Sequence, residues 1–411
     1  MKKIDCDVLV IGAGGAGLSA AQAAASAGAK VLTVDREEAC GGVLCQCIHN
    51  GFGLRFFNAE LTGPEYALRM ERAARESGAE IRCGETVSSV VRRSDGTFEA
   101  TLFSAADGVT KVESRAAVFT TGCRERTRAN IAVPGDRCAG IYTAGSAQKL
   151  MNLNGMLPGR RALIVGSGDI GLIMARRCRW SGIEVAAVIE ILPEPSGLPR
   201  NIAQCLRDFD IPLLLSHRCR KIIGRNRVEA AEVENMTTGE VMTFKCDTIL
   251  FSVGLIPENE LLKAMGAKLN PATGGPGVDS SLQCSVPGVF AAGNSLHVHD
   301  LVDFASLEAR RAGESAARYA SGAGLPAAEL PVSCSRSLKY VVPGRCAAGE
   351  SCEFFFRPTV SCRRAKLSFL ADGSEIAKKM CVSVRPAEML TMKADVPAEA
   401  KNLSFELEEC K

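Results

Sequence analysis

A strand that runs straight into G-x-G-x-x-G constrains this chain more than anything else in it. Asp7-Val-Leu-Val-Ile11 reads as a buried parallel strand, Gly12, Gly14 and Gly17 as the turn, Leu18 to Ala27 as a helix, and Lys30 to Asp35 as a second strand. Such a βαβ unit assigns the glycines separate tasks. Gly12 allows the sharp turn, Gly14 lets a pyrophosphate approach the backbone, and Gly17 lets the helix lie close to the sheet. The helix N-terminus offers unpaired N–H groups to phosphate oxygens. Asp35, at the end of the second strand, stands where an acid accepts ribose hydroxyls.

The unit occurs twice. Arg161-Ala-Leu-Ile-Val-Gly-Ser-Gly-Asp-Ile-Gly171 repeats the spacing with Gly166, Gly168 and Gly171, and Glu190 closes its second strand, Val185 to Ile189. Each unit is followed by alternating segments that read as a β-meander. The first turns at Asp95-Gly96 and Asp107-Gly108, the second near Gly224 and at Thr238-Gly239. Each meander leads to an apolar strand ending in glycine, at Gly122 and at Gly254. An internal duplication of a dinucleotide-binding domain is the simplest account.

A third strand of this kind, Val289-Phe-Ala-Ala-Gly-Asn294, precedes a helix from about Leu301 to Ala320. One strand and one helix make no domain, so they are expected to return to the first sheet with the second unit inserted between. From Pro331 the texture changes to short alternating runs: Lys339–Val342, Glu353–Arg357, Lys366–Phe369, Met380–Val384, Met389–Lys393 and Leu403–Leu407. The expected division is 1–125 with 275–328, 126–274, and a β-rich domain over 329–411.

Composition narrows the function classes. A length of 411 residues suits two or three domains, and a net charge of +3 gives no electrostatic case for nucleic acid or an anionic membrane surface. Aromatics are only 5% of residues, so an aliphatic core with close alanine and glycine packing is expected. Lys2-Lys3 before an apolar run superficially resembles a signal peptide. The nucleotide turn explains that run better, and no apolar stretch is long enough to span a bilayer. Eighteen cysteines without one C-x-x-C pair suit reduced thiols in a cytoplasm, and no metal-ligand set is expected.

Cys45, Cys47 and His49 follow the Gly41-Gly42 pair in a loop rich in reactive side chains. Cys47 and His49 are the candidate catalytic groups, against the alternatives of an inert buried thiol and a loop-holding imidazole. Cys45 and Cys47 could bridge only in a tight turn, because an extended two-residue step reaches the upper limit of disulfide Cα separation, about 6.8 Å.

Taken together, the two glycine units, the Thr121-Gly122 strand end and Val289–Asn294 resemble the two-dinucleotide-binding-domain flavoproteins, the glutathione and thioredoxin reductase-like α/β fold. The resemblance implies FAD on the first unit, held by Gly12, Gly14, Gly15, Gly17, Asp35, Arg36, Gly41, Gly42, Thr121, Gly122, Gly293 and Asn294. It implies a nicotinamide nucleotide on the second, at Gly166, Gly168, Asp169, Ile170, Gly171, Glu190 and Gly254. Cys47–Leu54, Glu60–Tyr66, Gly166–Arg177, Gly254–Asn259 and Leu296–Phe304 are similar to a narrower group, the oxidoreductases associated with anaerobic glycerol-3-phosphate dehydrogenase. That likeness implies an NADH-oxidising subunit beside a glycerol-phosphate-oxidising flavoprotein and a small cysteine-rich protein, in a hetero- or homo-oligomer.

This chain departs from the wider pattern at several points. The late flavin segment usually ends Gly-Asp, whereas Asn294 offers a carbonyl without the charge. The C-x-x-x-x-C redox pair of the disulfide reductases is expected after the glycine pair, but Cys40 and Cys45 straddle Gly41-Gly42. No arginine closely follows Glu190, which favours NAD(H) over NADP(H). Asp169 places negative charge near a pyrophosphate, or caps its helix. His297 and His299 precede a helix that, by resemblance, points toward the flavin. The alternative functions are a thiol or disulfide reductase using Cys40, Cys45 or Cys47, and an FAD-containing assembly subunit without catalysis.

Overall fold

A computed structural model describes residues 2–410. The first sheet starts with β1 (Lys2–Ile11), followed by α1 (Gly15–Ser26), β2 (Val31–Asp35), α2 (Gly63–Glu76), β3 (Glu80–Cys83), β4 (Glu85–Arg92), β5 (Phe98–Ser104) and β6 (Gly108–Phe119). The strand order is β3-β2-β1-β6-β5-β4. β3, β2, β1 and β6 run parallel, and β5 and β4 continue antiparallel from β6. Val8, Leu9 and Val10 are fully buried, as a strand covered on both faces requires. The meander and the central strand share β6: its first half pairs with β5, and β1 follows it almost end to end.

Local chemistry fixes the helix ends. Thr62 accepts from the Glu65 backbone N–H while the Glu65 carboxylate accepts from Thr62, a capping box worth about 1 kcal/mol. Pro64 occupies the first turn of α2, where its missing N–H costs nothing, and Gly78 follows the helix at φ +92°.

The second sheet contains β7 (Ile141–Thr143), α3 (Ala144–Asn152), β8 (Arg161–Val165), α4 (Asp169–Trp180), β9 (Glu184–Glu190), α5 (Pro199–Cys205) and β10 (Leu213–Leu215). An antiparallel meander comes next, β11 (His217–Gly224), β12 (Val228–Asn235) and β13 (Val241–Lys245), before β14 (Thr248–Phe251). The order β7-β14-β8-β9-β10 is wholly parallel. The motif thus folds twice into the same strand–turn–helix–strand arrangement.

The chain then adds β15 (Val289–Ala291), which lies parallel on Ala117–Phe119 of β6, and α6 (Val302–Ala320). α6 packs along α1, and at Gly313 a Cβ would overlap the Ala20 carbonyl. Alanine and glycine therefore set this helix spacing.

The C-terminal strands are β16 (Leu330–Cys334), β17 (Leu338–Val342), β18 (Arg345–Cys346), β19 (Ser351–Pro358), β20 (Cys362–Ala371), β21 (Ser374–Val384), β22 (Leu390–Asp395) and β23 (Leu403–Glu409). They form two sheets, β18-β16-β23-β20-β21 and β17-β19-β22. The expectation of an aliphatic core fails here. Phe354, Phe356, Phe369 and Phe405 are buried together, with ring centroids 4.6–5.6 Å apart between Phe405 and its neighbours and between Phe354 and Phe369. A chain-wide average conceals this local cluster, because phenylalanine is concentrated at 354–356.

Two compact units emerge: Arg124–Ile256, and the remainder on either side of it. Residues from Pro257 onward group with the first unit, including 257–274, for which the sequence suggested the second. Asn259 explains this, since its Nδ2 donates to the carbonyls of Gly274 and Ser295. The C-terminal strands also group with the first unit while retaining their own core. Backbone and side-chain bonds join them to it: Gly344 N–H to the Val278 carbonyl, Arg357 to the Val298 carbonyl and to Asp300, and Met389 N–H to Asp300.

Candidate cofactor and active site

The first glycine turn is packed on two sides and open on one. At Gly17 a Cβ would overlap the Gly12 carbonyl, and Gly12 itself is held at φ +106° against Thr120. At Gly14 a Cβ would meet nothing within 4 Å. Gly14 is also the N-cap of α1 and supplies no side-chain cap. Open space over a bare helix N-terminus is the cradle a pyrophosphate requires, so these residues fit the diphosphate of FAD. Gly41-Gly42 approaches from the other strand end: Gly41 N–H donates to the Ala13 carbonyl at 2.8 Å, and a Gly42 Cβ would stand 3.4 Å from Gly14 Cα. Gly15 packs inward against Val302 of α6, while Arg36 is exposed.

Asp35 accepts from Ala13 N–H at 2.6 Å through Oδ2 and from Glu37 N–H at 2.8 Å through Oδ1. It is partly exposed, so the carboxylate is oriented by backbone with an edge left toward solvent. Thr121 Oγ1 donates to the Glu258 carbonyl at 2.6 Å, and Gly122 turns at φ +70°. Thr120, which the motif reading missed, is the residue beneath the turn: its hydroxyl donates to the Ile11 and Gly12 carbonyls. Its position one residue before the quoted Thr-Gly pair was the available signal.

Gly293 N–H donates to Glu308 at 2.7 Å, and a Gly293 Cβ would stand 2.8 Å from that of Ala16 in α1. Asn294 Oδ1 accepts from His299 N–H at 2.9 Å, and its amide donates to Cys123 Sγ at 3.5 Å. Glu308 was not legible as a site residue. It is fully buried and receives His297 Nε2 at 2.8 Å and His299 Nε2 at 3.1 Å. Burial alone would raise its carboxyl, but His299, His297 and their hydrogen bonds outweigh that and hold it well below the usual carboxylate range. Burial, assisted by His299, lowers His297 despite Glu308, so the imidazole is neutral at neutral pH. Tyr340 reaches His297 Nδ1 at 3.5 Å from the C-terminal strands.

In the cysteine loop, Cys47 ends a 3₁₀ turn over Gly42–Gln46 and accepts Gly63 N–H through its carbonyl. His49 Nδ1 lies 2.9 Å from the Asn50 carbonyl, and its ring is 5.0 Å from that of Phe52. Both residues are half-buried. Contacts of these thiols reach beyond the loop. Cys45 Sγ donates to the Cys40 carbonyl, and the Cys40 sulfur contacts Cys83 at 3.5 Å. Strand pairing of Asp35 with Cys83 brings these distant cysteines together. Burial raises all three thiols, which weakens them as nucleophiles.

The second turn has the same backbone. Gly166 is at φ +98° against the Ser252 carbonyl, a Gly171 Cβ would stand 2.6 Å from the Gly166 carbonyl, and Gly168 is the uncapped N-cap of α4. Ile170 comes in the first turn of α4, and the Gly254 carbonyl accepts from Arg126 N–H. Glu190 differs from Asp35: it is only 5% exposed. Its Oε2 accepts from Ser167 N–H, Ser167 Oγ and Ser196 Oγ, and its Oε1 from Leu192 N–H. Asp169 makes no cap to its helix. Its Oδ1 instead takes Leu198 N–H at 2.8 Å and Asn201 Nδ2 at 2.7 Å.

Known proteins share this arrangement. The sequence profile named Pyridine nucleotide-disulphide oxidoreductase matches residues 6–309. One component of the opine oxidase of Rhizobium meliloti is 27% identical over 313 residues, 70% of this chain and 66% of that one. Thioredoxin reductase of Treponema pallidum is 25% identical over 297 residues, covering 71% of this chain and 89% of that one. The chain thus spans about two thirds of the first relative and most of the second. The crystal structure of T. acidophilum thioredoxin reductase superposes with a TM-score of 0.65 at 26% identity, covering 78% of this chain and 99% of that one. With two dinucleotide turns, each between parallel strands, and a matched segment spanning both, this chain is an FAD- and pyridine-nucleotide-dependent oxidoreductase and belongs to the pyridine nucleotide-disulphide oxidoreductase family.

Proposed function

We propose that the enzyme takes hydride from NADH, in preference to NADPH, and passes the electrons to a partner redox protein. The observation that carries this reading is Glu190. A carboxylate at the end of β9, followed by Ile191 and Leu192 instead of a cation, accepts two ribose hydroxyls and repels a 2′-phosphate. Bound FAD supplies the hydride acceptor and releases electrons singly or in pairs. The Gly12–Gly17 turn would hold the diphosphate, Asp35 would accept from a ribose, and the Gly293-Asn294 turn would lie beside the ribityl chain. Cys47 and His49 are the groups assigned to proton transfer.

The names of the relatives support a partner. The opine oxidase and sarcosine oxidase chains of Rhizobium meliloti are named as components of larger proteins, with 66% and 26% of their lengths matched here. The resemblance to the glycerol-3-phosphate dehydrogenase-associated group favours a glycerol-phosphate-oxidising flavoprotein and a small cysteine-rich protein as those partners. Eighteen cysteines without a disulfide among them suit a cytoplasmic setting. Among the described residues no helix is long and apolar enough to cross a membrane. The test is anaerobic stopped-flow. NADH is expected to bleach the flavin at least tenfold faster per unit concentration than NADPH, and a flavin that neither bleaches would defeat the proposal.

A further inference from the structure

Ser196–Asn201 lies over the second glycine turn and makes the contacts that a dinucleotide would need. Two serine hydroxyls, Ser167 and Ser196, stand 3.2 Å apart and both donate to Glu190 Oε2, at 2.6 and 2.9 Å. Ser167 belongs to the turn itself, so the returning segment contributes one hydroxyl, that of Ser196, where a ribose hydroxyl would otherwise meet the carboxylate. Ser196 N–H donates to Ser167 Oγ at 2.9 Å, and Leu198 N–H and Asn201 Nδ2 fasten the same segment to Asp169 in the first turn of α4. The fit is close: a Gly197 Cβ would stand 2.5 Å from Leu172 Cδ1 and 2.8 Å from the Ser167 carbonyl. With Leu192 N–H on its other oxygen, Glu190 has four donors and almost no exposed surface.

We propose that Ser196–Asn201 is a strap whose Ser196 hydroxyl takes the place of an adenosine-ribose hydroxyl of NAD(H) on Glu190 and must be displaced for the dinucleotide to bind. This rests on the reading that the second unit binds that nucleotide. A carboxylate oxygen already accepting three hydrogen bonds has no lone-pair direction left for a ribose hydroxyl. The nucleotide therefore exchanges its own hydroxyls for that of Ser196, and every donor lost from the strap must find water or ligand. Because only the opened form is competent, apparent affinity falls in proportion to the fraction open. Asp169 acquires a role on the same terms: it is the latch, holding Leu198 and Asn201 against the helix N-terminus that the pyrophosphate approaches.

The chain carries its own reporter. Its single tryptophan, Trp180, ends α4 and meets Phe209 edge-on at 6.0 Å, four residues beyond the helix that continues the strap. The experiment uses the FAD-loaded full-length protein and NAD+ as probe. Calorimetric affinity is measured for wild type, Ser196→Ala and Asn201→Ala, and hydrogen exchange and Trp180 emission are followed on addition of NAD+. Both variants are expected to bind NAD+ about fivefold more tightly, each having lost about one hydrogen bond of closure. Exchange at residues 196–201 is expected to rise in wild type when NAD+ is added, with a change in Trp180 emission. Normal wild-type binding with unchanged or weaker affinity in both variants would overturn the strap alone. Absence of NAD+ binding in all three proteins, with NADH leaving the flavin oxidised, would overturn the nucleotide reading and the strap with it.

Discussion

The two glycine turns are built to one plan and left in different states. Both hold their first glycine at positive φ beneath the strand that comes after the meander, and both begin their helix at a glycine without a side-chain cap. They diverge at the acid. Asp35 is steadied by two backbone N–H groups and keeps an edge in solvent, whereas Glu190 is covered by two serine hydroxyls and a returning loop. A site ready to hold a resident cofactor and a site closed until a visiting substrate opens it differ in the segment that leaves the second strand. After Asp35 the chain runs to Gly41-Gly42, which approaches without a side chain. After Glu190 it runs through Ser196 to Asn201, which approaches with several.

The strongest test of the shared plan is to fill it. Gly17→Ala drives a methyl into the Gly12 carbonyl, so a loss of about 3 kcal/mol or more is expected, read as failure to fold or a collapsed melting temperature. Gly14→Ala places its methyl in open space. Its apo stability should stay within about 0.5 kcal/mol of wild type while FAD affinity falls at least tenfold, as measured by flavin retention on dilution. Equal losses of stability in the two variants would break the distinction between packed and open faces.

The next test separates the units by their buried charges. Glu308→Ala strands His297, His299 and Gly293 N–H without an acceptor, and a cost of about 3–5 kcal/mol is expected in the first unit alone. Limited proteolysis should then cut 257–410 while sparing Arg124–Ile256. Acidification should make the same separation more gently. His297 has a lowered pKa in the folded state, so its contribution is present above about 6.5 and is lost progressively as pH falls below that value. Glu308, also lowered, adds its loss only below about 4.5. In the second unit Asp247 is lowered: burial opposes the shift, but the Arg161 and Arg160 N–H groups outweigh it, and its contribution holds until pH falls below about 3.8. Melting followed between pH 7 and 5 should therefore fall first in the first unit, and a simultaneous fall in both would contradict this assignment.

The smallest effect sharpens the comparison at the acids themselves. Glu190→Gln keeps the shape and removes the charge, so discrimination against NADPH should shrink by about tenfold in kcat/KM, about 1.4 kcal/mol, with flavin content unchanged. Flavin lost from this variant would mean that Glu190 serves the resident cofactor.

Much of this was legible in the residues because the information was local. G-x-G-x-x-G turns, Pro64 and Gly78 around α2, and Asp-Gly hairpins each act within a few positions, where sterics and hydrogen bonds leave few alternatives. The phenylalanine core of the C-terminal strands was missed because composition averages over the chain, although Phe354–Phe356 stood in plain view. The contact between Cys40 and Cys83 was not legible for a deeper reason. Cys40 and Cys83 are joined by the register of β2 and β3, and spacing along the chain carries no trace of it.

By itself, then, the sequence determined that two dinucleotide turns exist, where each begins, and which acid closes each, since backbone sterics at glycine decide these within a single βαβ unit. Only the tertiary structure decided what surrounds those acids. Whether Glu190 is open, whom Asp169 holds and why Glu308 bears a charge in the core depend on contacts between segments far apart in the chain. Burial and hydrogen-bond saturation are properties of that assembled neighbourhood.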